Sequence, residues 1–184
     1  WQLTESLKEL LLKVRASRTC VLDLPYKPRP VLRLRKTSRL LIIGQAPGTK
    51  VHDSGIPWDD ASGDRLRKWL DIDRDAFYDE RRVAIIPMGL CYPGRHGNGG
   101  DLPPRRECAP LWHTHLLSHL PAVSLTLLVG SFAQRYYLGR SCGKSVTETV
   151  YNWQQYVPTF FPLPHPSWRT RGWVSKNEWY ETDL

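Results

Sequence analysis

The chain has 184 residues, a length typical of one compact domain, and 41% of them are hydrophobic, which is enough for a buried core. No apolar run approaches the ~20 residues that a membrane-spanning helix needs, and no signal-peptide pattern precedes the first predicted helix, so we expect a single cytoplasmic domain over 1–184. Lys and Arg number 26 against 18 Asp and Glu, and the formal net charge of +8 attracts polyanions such as nucleic acid, although basic proteins without such a partner also exist.

The predicted elements alternate between helices and strands. The first helix spans 1–17, because its apolar residues recur at helical spacing, and a basic, proline-rich connector leads to an apolar strand at 40–43. An all-apolar strand is typical of a parallel sheet that is covered on both faces. Further helices are predicted over 62–70, 73–80, 107–120 and 131–138, and in the tail from 176. Further strands are predicted over 83–86, 124–129 and 160–162, with a short one over 31–34.

This alternation predicts a three-layer α/β/α sandwich with a small, mainly parallel four-stranded central sheet. In such sheets, ligands bind beyond the carboxyl ends of the strands. The rule brings four loops to one end of the sheet, namely 44–58, 87–104, 130–131 and 164–173.

The first of these loops follows a buried strand in the stretch LIIGQAPGTKVHDSGIPW. Gly44 and Gly48 permit close approach of another group, and Pro47 stiffens the turn between them. Backbone N–H groups exposed on such a loop can hold a carbonyl oxygen or a phosphate, and the amide of Gln45 can both donate and accept. An ordinary glycine-rich turn between a strand and a helix explains the glycines equally well. Further along the same stretch, Trp58 offers a flat ring, and His52 and Asp53 carry groups that can transfer or order protons.

The last loop contains the stretch LPHPSWRTRGW. His165 follows a strand and lies between two prolines, which fix its backbone and favour a positioned side chain over a solvated one. The residues after it can contact a DNA backbone or stack on bases. They are Ser167, Trp168, Arg169 and Arg171.

Together, GQAPG and HPSWR resemble the two signature motifs of the uracil-DNA glycosylase superfamily, which read Gly-Glu/Gln-x-Pro-Gly and His-Pro-Ser-x-Arg. The likeness covers nearly the whole chain and is greatest to the bacterial branch related to the iron–sulfur uracil-DNA glycosylases. It implies a monofunctional DNA-repair glycosylase that flips a deaminated base out of DNA and hydrolyses its N-glycosidic bond. The expected partner is therefore DNA that contains a damaged or deaminated base, with the protein associated with the nucleoid. We expect a monomer, because nothing in the sequence argues against one.

The resemblance also implies a role for each site residue. His165 would stabilise the negative charge on the departing base, Asp53 would orient the attacking water, and the backbone near Gln45 would hold a base carbonyl. A flipped base would then lie against 44–48 and stack on Trp58. The base-binding set is Gly44, Ala46, Pro47, Gly48, Trp58 and Pro87, and the DNA-binding set is Ser167, Trp168, Arg169 and Arg171.

Three positions bear on the substrate and the chemistry. Pro87 occupies the place where many uracil-excising members carry an Asn that reads the base, and Ala46 the place where the most active ones carry a general-base Asp. The excised base is therefore uracil or a related lesion such as hypoxanthine. His96 lies in a loop comparable to one from which, in a related branch, a histidine bonds covalently to the abasic sugar; a solvated histidine is the alternative.

The cysteines are compared with the iron–sulfur members in the same way. Cys91 and Cys108 enclose sixteen residues, a spacing close to that of the family, and Cys20 precedes the first strand. Ser17 stands where a fourth cysteine is expected, and Cys142 lies outside the pattern. The resemblance implies a 4Fe-4S cluster on these ligands, and a metal-free protein remains the alternative.

Two other functions compete with a glycosylase. A non-catalytic or covalently trapping DNA-binding member of the same fold would also account for Pro87 and Ala46. A hydrolase of free nucleotides is disfavoured, because Thr49 and Lys50 follow the glycine loop in the reverse of the Walker order.

Overall fold

Four short apolar strands lie side by side in a computed structural model, which describes residues 5–19, 24–97 and 99–183. The strands are β1 (Leu40–Ile43), β2 (Val83–Ile85), β3 (Leu125–Val129) and β4 (Phe160–Leu163). They pair in the order β2-β1-β3-β4, and every pair is parallel. The predicted four-stranded parallel sheet is confirmed.

Helices cover both faces of the sheet. They are α1 (Leu7–Ala16), α2 (Thr49–Ser54), α3 (Ala61–Trp69), α4 (Arg74–Tyr78), α5 (Cys108–Ser118), α6 (Ser131–Leu138), α7 (Val146–Tyr151), α8 (Thr170–Lys176) and α9 (Trp179–Asp183), with single 3-10 turns at Gly139–Ser141 and Trp153–Gln155. None of these helices is long and apolar enough to cross a bilayer, as far as the structure describes the chain.

Successive residues of β1 enter two separate cores, as the alternation of a strand requires. Leu41 and Ile43 pack with buried residues of α1, α5 and α6, whereas Ile42 packs with α3, α4, α7 and α9. All three side chains are almost completely buried, and burial of each contributes about 1.5–3 kcal/mol. The three-layer arrangement follows from this division.

The differences from the predicted elements have local causes. The first helix begins at Leu7 and not at residue 1, because Ser6 caps it and the Glu9 side chain accepts from the Ser6 N–H. Residues 1–4 of the predicted helix lie outside the described residues. The predicted strand at 31–34 is a single antiparallel bridge between Arg33 and Ile85.

Three short helices fall where loops were predicted. Helix α2 has six residues and no side-chain cap, and it ends at Gly55, whose φ of 72° is left-handed. Helix α7 begins with a Ser145 side chain that accepts from the N–H of Glu148, a capping pattern that the sequence does contain. Helix α8 begins five residues after His165 and so shortens the predicted 164–173 loop.

The carboxyl ends of β3 and β4 are joined by one buried amide. The side chain of Gln134, on α6, donates to the carbonyls of Leu128 (3.3 Å) and Leu163 (2.9 Å). The backbone N–H of Gly130 also donates to the Leu163 carbonyl, at 2.8 Å. These bonds hold the loop after β3 beside the loop after β4.

Candidate active site

A cavity of about 610 Å³ opens beyond the carboxyl ends of the strands. Its walls come from the segments after β1, β2 and β4, which are three of the four loops predicted to meet there. The fourth, 130–131, lines a neighbouring depression instead. Predicted site residues in the wall of the cavity are Gly44, Gln45, Ala46, Pro47, Gly48, Trp58, Pro87, His165, Ser167, Trp168 and Arg169.

Three other predicted residues lie away from this cavity. The side chain of Asp53 is exposed on α2, and Arg171 is exposed on α8; neither is part of the wall. The ring of His52 packs against those of Tyr26 and Tyr92, at centroid distances of 5.5 and 5.7 Å, and these two rings also stack on each other. The structure therefore does not bring Asp53 to the place where it could order a water in this cavity.

The loop that carries His165 is held from several sides. Thr170 Oγ1 and the backbone N–H of Ser167 both donate to the His165 carbonyl, and Arg65 of α3 donates to the carbonyls of Pro166 and Ser167. A Cβ atom at Gly130 would lie 3.3 Å from the Cβ of His165. The backbone of His165 is thus fixed against the end of β3.

The imidazole of His165 is half-buried. Burial lowers its pKa below the ordinary value of 6.5, although the nearby Asp60 charge acts in the opposite direction. The ring is therefore neutral at pH 7, and one of its nitrogens carries a proton that it can donate in a hydrogen bond.

Trp58 lies beside His165, with 5.7 Å between the ring centroids. Its φ of 59° is left-handed, which a bulky residue adopts only when its neighbours hold it there. Arg67 donates to the Trp58 carbonyl at 3.3 Å, and the hydroxyl of Tyr78 donates to the preceding Pro57 carbonyl at 2.8 Å. These bonds account for the unusual backbone of Trp58.

Two glycines explain how close Trp58 comes to its neighbours. A Cβ at Gly44 would lie 2.6 Å from the indole ring, and a Cβ at Gly63 would lie 1.8 Å from the Trp58 carbonyl oxygen. The group that excludes a side chain at Gly44 is therefore the indole of the protein itself. A bound base is therefore not needed to explain this glycine.

The cavity also contains two carboxylates that the sequence analysis did not single out, Asp60 and Asp101. Asp60 caps α3 by accepting from the N–H of Gly63 at 2.9 Å, so an Asp before a predicted helix was the available signal. A Cβ at Gly48 would lie 3.2 Å from the Asp101 carboxylate. Partial burial raises the pKa of Asp101, against the charge of Arg95, which lowers it.

Backbone N–H groups are available on the loop after β1. Within the described ranges, the N–H groups of Gln45, Ala46 and Gly48 have no hydrogen-bond partner, while the carbonyls of Gly44 and Gln45 accept from Met88 and Gly89. The loop is thus anchored through its carbonyls, and its donors remain available to a ligand carbonyl or phosphate in the cavity.

The opposite rim of the cavity is a short loop closed by a bridge between Arg95 and Asp101. His96 lies in this loop and lines the cavity. On the other side, the Arg169 guanidinium lies about 3.6 Å from where a Cβ of Gly100 would be. It also lies 4.9 Å from the ring centroid of Trp168, which is 69% exposed.

Behind the cavity, the buried His113 supports Pro87. Its Nε2 lies 3.1 Å from the Pro87 carbonyl and its Nδ1 lies 2.5 Å from the Tyr137 hydroxyl. A neutral ring with its proton on Nε2 satisfies both neighbours, because it donates to the carbonyl and accepts from the hydroxyl. Burial lowers the pKa of His113 to about 4.

His113 should therefore make the protein less stable in acid. In the unfolded chain the imidazole titrates near 6.5. Between that pH and about 4, the unfolded state therefore binds a proton at this residue and the folded state does not. We expect the free energy of unfolding to fall between about pH 6.5 and pH 4, by roughly 3 kcal/mol for this group. Urea unfolding at pH 7 and pH 4 would measure it, and His113→Phe should show a smaller loss between the two pH values. Equal losses in parent and variant would contradict this assignment.

Two of the cysteines predicted to bind a cluster meet behind the cavity. Cys91 and Cys108 line a small cavity of about 30 Å³ together with Ser17, and Cys20 lies outside the described residues. In the part of the chain that is described, no group of three or more His, Cys, Asp or Glu residues could hold a metal. Two thiols and a hydroxyl differ from the four thiolates usual for a 4Fe-4S cluster, so the cluster stays a prediction.

The sequence was compared with models of known protein families. The model of the uracil DNA glycosylase superfamily matches residues 33–184. The match begins before β1 and includes every residue that lines the cavity except Val31.

Proposed function

The chain belongs to the uracil DNA glycosylase superfamily, and we propose that it hydrolyses the N-glycosidic bond of a deaminated base that it extrudes from DNA. The superfamily acts on DNA as glycosylases. The observation that carries the proposal is the placement of a neutral His165 beside Trp58 in a cavity that also holds two carboxylates. In this cavity, Trp58 can stack on a flipped base, the two carboxylates can orient an attacking water, and His165 can donate a hydrogen bond to the base.

The extruded base would enter beside Trp58. An indole ring whose backbone is held by Arg67 and Tyr78 offers a rigid face for stacking, which is worth about 1–3 kcal/mol per base. A base carbonyl would accept from the available N–H groups of Gln45, Ala46 or Gly48.

His165 would act on the leaving base. As the glycosidic bond stretches, negative charge accumulates on a base oxygen, and the neutral imidazole donates a hydrogen bond to it. Because the His165 loop is fixed by Thr170 and Arg65, the donor is in place before the charge develops. No proton needs to leave the ring in this step.

The carboxylates of Asp60 and Asp101 would act on the sugar side. We assign to them the water-ordering role that the sequence analysis gave to Asp53, because they line the cavity and Asp53 does not. The raised pKa of Asp101 makes this carboxylate the better base toward an attacking water. Asp60 is held by Gly63 and supplies a fixed negative charge near the positive charge that forms on the sugar.

Pro87 leaves the identity of the base open. Its ring makes no hydrogen bond, and its carbonyl is already bonded to His113. The side chain of this residue therefore reads no base edge. Uracil, hypoxanthine and xanthine remain the candidates, and all three carry a carbonyl for the loop after β1.

We further propose that the chain is related to the bacterial iron–sulfur branch of the superfamily. The support is the meeting of Cys91, Cys108 and Ser17 around one small cavity. Protein purified without oxygen should then be brown and contain iron, and iron-free protein would remove this part of the proposal.

The function is tested by a single-turnover assay on end-labelled oligonucleotides. Duplex and single-stranded forms would each carry one uracil, hypoxanthine or xanthine and would be treated with alkali after incubation. Cleavage at one lesion would establish the glycosylase and name its base. Binding without cleavage would favour the non-catalytic member, and a complex that resists denaturant would favour covalent trapping, for which His96 is the candidate because it lines the cavity.

A further inference from the structure

A concave surface continues from the cavity past His165. Gln45, His165 and Arg169 line both the cavity and a neighbouring depression of about 300 Å³. Phe132 lines that depression and also a hollow of about 690 Å³ between α6 and 103–109. The hollow on α6 therefore adjoins the depression beside His165, and Phe132 lies where the two meet. We call the far part of this surface, lined by Phe132, Arg135, Tyr136 and Arg106, the α6 groove.

Two aromatic rings are exposed in the α6 groove. Phe132 and Tyr136 are 36% and 43% exposed, and they lie one turn apart on the same face of α6. The ring of Tyr136 is braced edge-on against Tyr137, with 5.1 Å between the centroids. Neighbouring exposed aromatic rings are typical of a binding surface, and flat faces of this kind accept stacked bases.

The charge of the α6 groove matches a phosphate backbone. Three arginines and one glutamate line the hollow, and the glutamate, Glu107, lies 3.8 Å from Arg105. Among the residues that the structure describes, Arg106 and Arg135 form no ion pair with a carboxylate. Two cations thus remain beside two aromatic rings, the combination that single-stranded nucleic acid binds.

We propose that the α6 groove binds the DNA strand that continues from the extruded nucleotide, in an unpaired form. Arg106 and Arg135 contact two phosphates of that strand, and Phe132 or Tyr136 stacks on one of its bases. The proposal rests on the proposed function only in placing an extruded nucleotide in the cavity. The exposed aromatic rings and the arginines of the α6 groove support strand binding independently.

The test is the salt dependence of binding to single-stranded oligonucleotides that carry a non-cleavable abasic analogue. One oligonucleotide ends at the analogue, and others extend beyond it on the 5′ or the 3′ side. We expect Arg106→Gln/Arg135→Gln to reduce the slope of log K against log salt by about 0.7 for each lost phosphate contact. The reduction should appear with one of the two extended oligonucleotides and not with the one that ends at the analogue.

Arg15→Gln/Arg140→Gln is the matched control, because both of these arginines are exposed and lie outside the groove. Its slope should equal that of the parent. Phe132→Ala should weaken binding of the same extended oligonucleotide by roughly tenfold, the usual effect of losing one stacked base. Thermal unfolding of each variant would verify that it is folded.

The outcomes separate this inference from the proposed function. If the parent excises a base but the Arg106→Gln/Arg135→Gln slope equals that of the control, the groove is not a strand site and the function stands. If no lesion is cleaved but the slope falls as expected, the strand site stands and the function fails. A groove that serves a protein partner instead would leave all slopes unchanged.

Discussion

Base excision by the His165→Ala variant is expected to be at least about a hundredfold slower than by the parent chain, because one fixed donor to a developing oxyanion is typically worth 10²–10³ in rate. The loss should appear in the single-turnover rate constant on the lesion that the parent cleaves. Binding of a non-cleavable substrate analogue should change little, since the hydrogen bond strengthens only as charge develops.

A matched histidine variant distinguishes this effect from general damage. His115 is exposed on α5 and lies outside the cavity wall, so His115→Ala should excise at the parent rate. His165→Gln, which keeps an amide donor, should recover part of the loss. Excision by His165→Ala at the parent rate would mean that the charge on the base is stabilised elsewhere.

The second large effect is expected from a substitution of Gly63, which lies against the backbone carbonyl of Trp58. Alanine normally stabilises a helix by about 0.5–1 kcal/mol over glycine. In α3, however, the added Cβ would lie 1.8 Å from the Trp58 carbonyl oxygen, a separation that no relaxed structure tolerates. That carbonyl also accepts from the buried Arg67, so it cannot move without breaking a second contact. Gly63→Ala should therefore destabilise the chain by about 1–3 kcal/mol and displace the indole ring of Trp58.

Gly172 provides the control for Gly63, since it is also helical and a Cβ there would meet nothing within 4 Å. Urea unfolding should show the two Gly→Ala changes with opposite signs. Gly63→Ala should also bind the abasic-site oligonucleotide normally through the α6 groove while excising slowly. Two changes of the same sign would show that the backbone near Trp58 adapts.

The sequence predicted the scaffold well, for a physical reason. An uninterrupted apolar strand such as Leu40–Ile43 that alternates with helices is typical of a parallel sheet covered on both faces, and the position of the loops follows from that topology. His165 was recognisable because prolines flank it. Short helices without strong caps, such as α2, carry too little periodicity to be recognised.

The two carboxylates in the cavity wall, Asp60 and Asp101, could not be predicted in this way. Asp53 was chosen because it lies in the first motif, but α2 turns its side chain outward. Asp60 reaches the cavity from the cap of α3, and Asp101 reaches it from a loop beyond β2. The two residues are far apart in the sequence, and no motif indicates that the fold brings them together. The close contact of Gly44 with Trp58 is likewise a tertiary fact, since fourteen positions separate them.

The amide of Gln134 restricts how far the ends of β3 and β4 can move apart. Because it ties Leu128 to Leu163, the ends of β3 and β4 can separate only when a completely buried side chain loses both of its acceptors. We therefore expect this end of the sheet to be among the last parts of the protein to unfold. A substitution that removes the Gln134 amide is therefore expected to shorten the lifetime of the folded state before it changes the entry of a ligand into the cavity.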